Sequence, residues 1–141
     1  MATITRADAL TANKKQLEFY SDFLDNFNKT PIGNQLGRIV NEKSVSQSIK
    51  NLLMTNLGER LYQPTIGSSI NRSLFEPNAD SYLTVLEYNV RLTIQNNEPR
   101  AVLQDINIAS IGDYTIQINI TYTLINSTEP IPITIIFKRI R

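Results

Sequence analysis

The 141-residue chain contains no cysteine, no histidine and no tryptophan. Without cysteine it has no disulfide framework and no thiol nucleophile. Without histidine it has no Ser-His-Asp triad, no histidine general base and no histidine-bound zinc. No apolar run approaches the ~20 residues of a membrane-spanning helix, and residues 1–6 lack the apolar region of a signal peptide. We therefore expect a protein that is made and kept in the cytoplasm, or that is built into something assembled there.

Charge is nearly balanced, because 14 basic residues accompany 13 acidic residues for a net charge of +1. The basic residues are dispersed, so nothing indicates a nucleic acid or an anionic membrane as a partner. Glycine-rich phosphate loops and metal-ligand spacings are also lacking, so we expect no cofactor and no metal. The composition is that of a globular protein. We expect an N-terminal segment, residues 1–34, followed by one domain, residues 35–141.

Two later segments have the period of amphipathic helices. In the first, Ser44 and Gln47 form a capping box, and Gly58 is a natural C-terminal stop. Its apolar stripe consists of Val45, Ile49, Leu52, Leu53 and Leu57. The second can be capped by Asn78 or Asp80 and ends at residues 96–98. Its stripe consists of Leu83, Leu86, Val90 and Ile94, widened by Tyr82 and Val85.

The N-terminal segment is open to two interpretations. Apolar residues at spacings of three and four favour a short helix, and they are Leu17, Tyr20, Leu24 and Phe27. Tyr20, Phe23 and Phe27 equally fit an extended arm that becomes ordered on a partner. A short strand is predicted at residues 35–40.

The last third of the chain has the alternation of β-strands. Residues 102–109, 114–124 and 131–137 place apolar side chains at every second position, as half-buried antiparallel strands require. The fold is therefore predicted to be α+β, with two main helices packed on a small, mainly antiparallel C-terminal sheet. The last strand has Pro130 and Pro132 at its start and basic residues at its end, which is typical of a protected edge strand or of a strand that pairs with another subunit.

Two motifs stand out between these elements. The first is a loop that contains Gly58, Glu59, Arg60, Pro64, Gly67, Leu74, Phe75, Glu76 and Pro77. The second is the corner Glu98-Pro99-Arg100, where proline stops a helix between a carboxylate and a guanidinium. Such a corner is either a solvated turn or a docking device.

The order and spacing of these motifs resemble the baseplate-wedge, tail-sheath-initiator family of contractile phage tails, which has relatives in type VI secretion baseplates. The shared pattern is a helix, a Gly-Glu-Arg-like turn with an aromatic residue, a proline and a glycine, then Leu-Phe-Glu-Pro, a second helix, Glu-Pro-Arg and a sheet. It covers about residues 35–125. The sequence alone leaves a phage tail and a secretion-system baseplate open.

The resemblance implies a structural, non-enzymatic protein of the virion's tail baseplate, present in six copies around the tail tube. Glu98, Pro99 and Arg100 would dock on the helical core bundle of the other wedge proteins. The C-terminal β region would exchange strands with tail sheath subunits and so template the first sheath ring. The pairing strand would consist of Ile131, Ile133, Ile135, Phe137, Lys138 and Arg139.

A peptidoglycan-degrading, lysozyme-like enzyme is the alternative, because some members of the family carry that label. Its general acid would be Glu76 or Glu98, and further carboxylates occur at Asp80 and Glu87. A glycosidase needs two carboxylates on either side of a bond, and nothing in this spacing requires such a pair. We therefore expect no catalytic activity.

Overall fold

A computed structural model of the chain describes residues 18–29, 33, 35–73, 80–111 and 115–138. The elements are the strands β1 (Ser21–Phe23) and β2 (Arg38–Val40), the helices α1 (Glu42–Met54), α2 (Ile70–Ser73) and α3 (Asp80–Asn97), and the strands β3 (Ala101–Ser110), β4 (Thr115–Leu124) and β5 (Ile131–Lys138). The predicted mixture of helices and an antiparallel sheet is confirmed, and the four-residue α2 is a third helix beside the two predicted ones.

Strands β3, β4 and β5 form an antiparallel sheet in that order, with β4 in the middle. The predicted alternation holds along β4, because Ile116, Ile118, Ile120 and Tyr122 are all buried. In β5 the odd-numbered residues likewise face the core. A central strand buries one side chain in two against the helices, so the alternation follows from the fold.

Strand β3 does not keep the predicted continuous alternation. A register shift between Leu103 and Asp105 inserts an extra residue, as in a β-bulge. Before the shift, Ala101 is buried, and after it Ile106 is buried, so the inward face changes from odd to even positions. Val102, predicted on the same face as Ile106, is therefore exposed.

Helix α3 packs against β3 and α1. Leu86, Val90 and Ile94 of its predicted stripe are completely buried, and the helix ends where the sequence indicated. Val85 was predicted to widen the stripe, but it is exposed on the opposite side of the helix. From the sheet, Tyr122 reaches α1 and forms a 2.8 Å hydrogen bond with Ser46.

Both ends predicted for α1 are wrong. The helix begins at Glu42, two residues before the predicted capping box, and it ends at Met54, four residues before Gly58. The side chain of Gln47 does not cap the helix, because its amide N–H donates to the Phe23 carbonyl at 2.8 Å. The hydroxyl of Ser44 is buried and has no hydrogen-bond partner among the described residues.

The described part of the N-terminal segment is extended, so the helix interpretation is wrong for residues 18–29. Strand β1 pairs with β2 in an antiparallel, two-stranded sheet, with Ser21 opposite Val40. Strand β2 lies within the strand predicted at residues 35–40. The pairing joins the segment of residues 1–34 to the domain of residues 35–141, and the boundary between them stays a prediction.

Several predicted features lie outside the described residues: Leu17, Leu74, Phe75, Glu76, Pro77, the Asn78 cap, Tyr114 and Arg139. None of the helices in the described ranges has the length and apolar character needed to cross a membrane.

Candidate docking site

The Glu98-Pro99-Arg100 corner is a turn between α3 and β3. The backbone N–H of Glu98 donates to the Ile94 carbonyl at 2.8 Å and completes the last turn of the helix. The N–H of Ala101 then donates back to the Glu98 carbonyl at 3.2 Å. Proline has no N–H to continue the helix, so the chain leaves α3 at this point and enters the sheet.

Glu98 and Arg100 are bonded to each other. The Arg100 Nε donates to Glu98 Oε1 at 2.5 Å, and Nη2 donates to Oε2 at 2.7 Å, which makes a bidentate pair. The Ser48 hydroxyl of α1 donates to the same Oε2 at 2.5 Å. The Glu98 side chain is only 3% exposed, whereas that of Arg100 is 36% exposed. The carboxylate is therefore an internal anchor, and Arg100 is the charged group of the pair that reaches solvent.

The surroundings hold Glu98 in its ionised form. Burial by itself raises the pKa of Glu98, but the hydrogen bonds from Arg100 and Ser48 and the charge of Arg100 outweigh burial and leave the pKa below its usual value. The pKa of Arg100 is raised, mainly by the hydrogen bond to Glu98, while burial acts in the opposite direction. Both groups therefore carry their charges at neutral pH.

Tyr20 completes the environment of Arg100. Its ring centroid lies 5.4 Å from the guanidinium carbon, within the range of a cation–π contact. The sequence predicted Glu98 and Arg100 as one site, and the structure brings them together. The sequence did not indicate Ser48 as a partner of Glu98 or Tyr20 as a partner of Arg100. Sequence spacing carries no signal for partners that are 50 and about 80 residues away.

The described part of the motif loop is closed by its own backbone. The Gly58 N–H donates to the Pro64 carbonyl at 2.9 Å, and the Glu59 carboxylate accepts the Asn56 N–H at 2.8 Å. Gly67 has a φ of +143°, and a Cβ there would lie 2.8 Å from the backbone of Asn56. Glycine is required at this position because the two segments of backbone touch.

The loop and the corner meet on α1. A depression of about 230 Å³ is lined by Asp22, Ser48, Asn51, Leu52, Arg60, Ile66 and Asn97. It therefore joins the loop arginine, Arg60, to the end of α3 and to Ser48, which binds Glu98. Leu74–Pro77 and Arg139 cannot be assigned to this surface, since they lie outside the described residues.

The predicted pairing strand is β5. It has β4 as its one neighbour among the described residues, so its other edge is open there. Ile131, Ile133, Ile135 and Phe137 point towards the core, and Lys138 is exposed. These four apolar side chains hold β5 in place, and what the strand offers outward is its backbone edge and the side chains of even-numbered residues.

The sequence matches the family described as baseplate wedge protein gp25 over residues 40–129. A curated relative is the baseplate wedge protein gp25 of Enterobacteria phage T4, which is 25% identical over 115 residues. The match covers 81% of this chain and 86% of that protein.

Three solved structures share the fold. A crystal structure described as a tail lysozyme from Geobacter sulfurreducens has a TM-score of 0.66 and 22% identity, covering 71% of this chain and 92% of that chain. A subunit of the anti-feeding prophage baseplate has a TM-score of 0.61 and 19% identity, covering 84% and 85%. A subunit of the postcontracted pyocin R2 baseplate has a TM-score of 0.56 and 18% identity, covering 69% and 96%. The family match spans more than half of the chain, so the chain belongs to the baseplate wedge protein gp25 family, structural proteins of the contractile tail baseplate.

Proposed function

We propose that this baseplate wedge component is non-catalytic, docks on the other wedge proteins at the Glu98-Pro99-Arg100 corner, and templates the first ring of tail sheath with β5. The observation that carries the baseplate role is the family match over residues 40–129, which includes the corner and ends before β5. It thus includes the motif loop and the corner.

Docking at the corner is supported by the different exposure of the two residues of the ion pair. Glu98 is buried and fixes the direction of the guanidinium, while Pro99 is exposed and Arg100 is partly exposed. An arginine that is already oriented loses little side-chain entropy when its remaining N–H groups bind a carboxylate of a partner. Arg60, which lines the adjoining depression, extends the same surface.

Sheath templating is supported by the open edge of β5. Strand addition joins main-chain groups and needs no particular side chains, so one edge serves many identical subunits. Pro132 has no N–H, which a strand tolerates where that position faces away from its neighbour. Thr134 and Ile136 share the parity of Pro132 and would present their backbone groups to an added strand. Six copies around the tail tube, as the resemblance implies, would arrange six such edges in a ring.

The surroundings of Glu98 argue against it as the general acid of the enzymatic alternative. A general acid needs a raised pKa, and the pKa of Glu98 is lowered by Arg100 and Ser48 despite the burial that opposes the shift. The Glu98 carboxylate also accepts hydrogen bonds from Arg100 and Ser48, which favour its ionised form. The likeness to the Geobacter structure described as a tail lysozyme is one of fold.

Substitution of Arg100 tests docking against a matched arginine. Arg91 of α3 also pairs with a glutamate, Glu87, and its side chain is likewise 36% exposed. We expect Arg100→Gln to weaken co-purification with the other wedge proteins of the same tail by at least about tenfold, and Arg91→Gln to leave it unchanged. Because Arg100→Gln also removes the partner of the buried Glu98 carboxylate, thermal melting must first show that both variants are folded at the temperature of the co-purification. Full recovery of wedge complexes with Arg100→Gln would count against docking at the corner.

A further inference from the structure

The loop that follows α1 carries two large side chains at its tip. The Gln63 N–H donates to the Arg60 carbonyl at 3.3 Å, so Leu61 and Tyr62 are the central residues of a tight turn. These two residues, here called the loop tip, are 91% and 97% exposed and therefore fill no depression of their own chain. The central positions of turns usually hold glycine, proline, asparagine, aspartate or serine. A leucine and a tyrosine there contribute little to the fold and are available to another surface.

The loop holds its tip in a defined direction. The Gly58 N–H donates to the Pro64 carbonyl at 2.9 Å, which closes the loop below the tip. On the far side, the Ile66 N–H donates to the Gln63 carbonyl at 3.1 Å. Because the backbone is already ordered, little conformational entropy is lost when the tip binds.

An apolar depression of about 250 Å³ lies at the start of α1. It is lined by Phe19, Tyr20, Asn41, Glu42, Leu124, Asn126 and Ser127. Two aromatic rings and Leu124 form its apolar part, and Glu42 is the one charged residue among its described lining. A cavity of about 150 Å³ is enough to bind a benzene ring, so this depression has room for a tyrosine ring and part of a second side chain.

The polar groups of the loop tip and of the depression are complementary. Arg60 directly precedes the tip and Glu42 lines the depression, and neither forms a salt bridge with another described residue. A tyrosine hydroxyl that becomes covered needs a hydrogen-bond partner. The side chains of Asn126 and Ser127 line the depression and offer such partners to Tyr62.

Other charged residues near the two surfaces are engaged or lie outside them. Arg100 contacts the Tyr20 ring but is paired with Glu98, and Lys43 does not line the depression. Beside the tip, the Glu59 carboxylate accepts a backbone N–H at 2.8 Å. Asp22 and the loop arginine line the depression near the corner, but no salt bridge joins them. The loop arginine and the glutamate at the start of α1 therefore remain as the pair that a contact would join.

We propose that the loop tip of one copy of this chain inserts into the apolar depression of the next copy, with Arg60 facing Glu42 across the contact. The tip and the depression are different surfaces, so the contact is head-to-tail, and contacts of this kind either close into a ring or continue as a filament. Tyr62 is the anchor, because a tyrosine buried in a pocket is a frequent centre of binding energy. The contact does not require docking at the Glu98-Pro99-Arg100 corner, so it goes beyond the proposed function.

The test is analytical ultracentrifugation of the isolated full chain, in which no wedge protein competes for Arg60. Concentrations up to about 1 mM are needed, since a contact of small area is weak. We expect the wild type to form oligomers, and Leu61→Ser with Tyr62→Ser to associate at least about tenfold more weakly. The matched control is Val85→Ser with Tyr88→Ser on α3, at positions 56% and 63% exposed, and it should associate like the wild type. Melting temperatures of both variants should stay within about 2 °C of the wild type, because the substituted side chains are exposed.

Charge reversal and mixing test the head-to-tail arrangement. Arg60→Glu and Glu42→Arg should each weaken association about threefold or more, and a chain with both substitutions should regain the wild-type association. The Leu61→Ser, Tyr62→Ser chain keeps its depression, and the Glu42→Arg chain keeps its loop tip. An equal mixture of these two chains should therefore form heterodimers that do not grow further.

Three results would overturn the proposal. The first is a wild type that stays monomeric at about 1 mM, and the second is association that Leu61→Ser with Tyr62→Ser leaves unchanged. The third is a double charge reversal that does not restore association. A monomeric wild type whose wedge complex is weakened by the loop-tip variant would assign the tip to another baseplate protein and reject the contact between copies. Docking at the corner is measured on wedge complexes and this contact on the isolated chain, so either proposal can fail without the other.

Discussion

Glu98 and Arg100 lie on either side of Pro99 and are joined by two hydrogen bonds of 2.5 and 2.7 Å. A turn that places a carboxylate and a guanidinium two residues apart thus folds both onto one side. The pair connects three parts of the chain, because Ser48 of α1 binds Glu98 and the guanidinium of Arg100 lies over the ring of Tyr20 in the N-terminal segment. The corner is therefore a structural junction, and any partner that contacts Arg100 meets a group whose position is already set.

Replacing Glu98 by glutamine should destabilise the chain by on the order of 2–3 kcal/mol, since a bidentate, mostly buried pair is broken. The estimate is below that for a fully buried pair because Arg100 is partly exposed. Urea unfolding at pH 7 measures the loss. Glu87→Gln, which breaks an exposed pair on α3, should change the free energy of unfolding by less than about 1 kcal/mol.

The same carboxylate makes stability depend on acid. Because the pKa of Glu98 is lower in the folded chain than its ordinary value of 4.5, its contribution is complete above that value and is lost as the pH falls through the folded pKa. The free energy of unfolding of the wild type should therefore decrease below about pH 4.5, and the decrease should be smaller in Glu98→Gln. Identical pH profiles for the two proteins would show that the pair does not stabilise the fold.

Glycine at position 67 should be far less replaceable than glycine at position 58. Both have positive φ, but a Cβ at Gly58 meets open space, whereas one at Gly67 lies 2.8 Å from the backbone of Thr55 and Asn56. We expect Gly58→Ala to cost about 1 kcal/mol for its backbone conformation, and Gly67→Ala to cost at least about 2 kcal/mol more. Equal losses of unfolding free energy in the two variants would contradict the close approach.

Removing the Gln47 amide should make residues 18–25 exchange faster without unfolding the domain. Its two hydrogen bonds, to the Phe23 carbonyl and from the Asp25 N–H, are exposed and together contribute about 1 kcal/mol. Hydrogen exchange of the backbone amides in residues 18–25 should accelerate about fivefold in Gln47→Ala. Gln95→Ala, an exposed position on α3, is the control and should leave those amides unchanged.

The parts of the fold with strong local patterns could be predicted from the sequence. Strand β4 alternates without interruption, and α3 carries a regular stripe that ends at a proline, so local propensity and burial agree. The bulge in β3 has no such signal, because a single extra residue leaves the composition of the strand unchanged. The sequence pattern of residues 102–109 therefore predicts one continuous inward face, whereas the inward face changes at the bulge.

The start of α1 and the extended conformation of residues 18–29 could not be predicted for a different reason. Ser44 and Gln47 fit a capping box, but Gln47 binds the carbonyl of Phe23, more than twenty positions away. The Asn41 side chain likewise accepts the Phe19 N–H. Tertiary contacts have overridden local propensity at both positions. The same contacts make residues 18–29 extended, although their spacing of apolar residues also fits a helix. For the corner, the sequence identified the residues and the structure supplied their partners.

The proposed link between the baseplate wedge and the sheath is the open edge of β5. Deleting residues 130–141 would also remove Ile135 and Phe137 from the core, so a single backbone change is the cleaner test. The measurement is electron microscopy of tails assembled with Ile136→Pro, compared with Ile136→Thr, which keeps the backbone N–H. We expect complete baseplates without sheath for Ile136→Pro and full-length sheaths for Ile136→Thr. Full-length sheaths on Ile136→Pro baseplates would contradict the account.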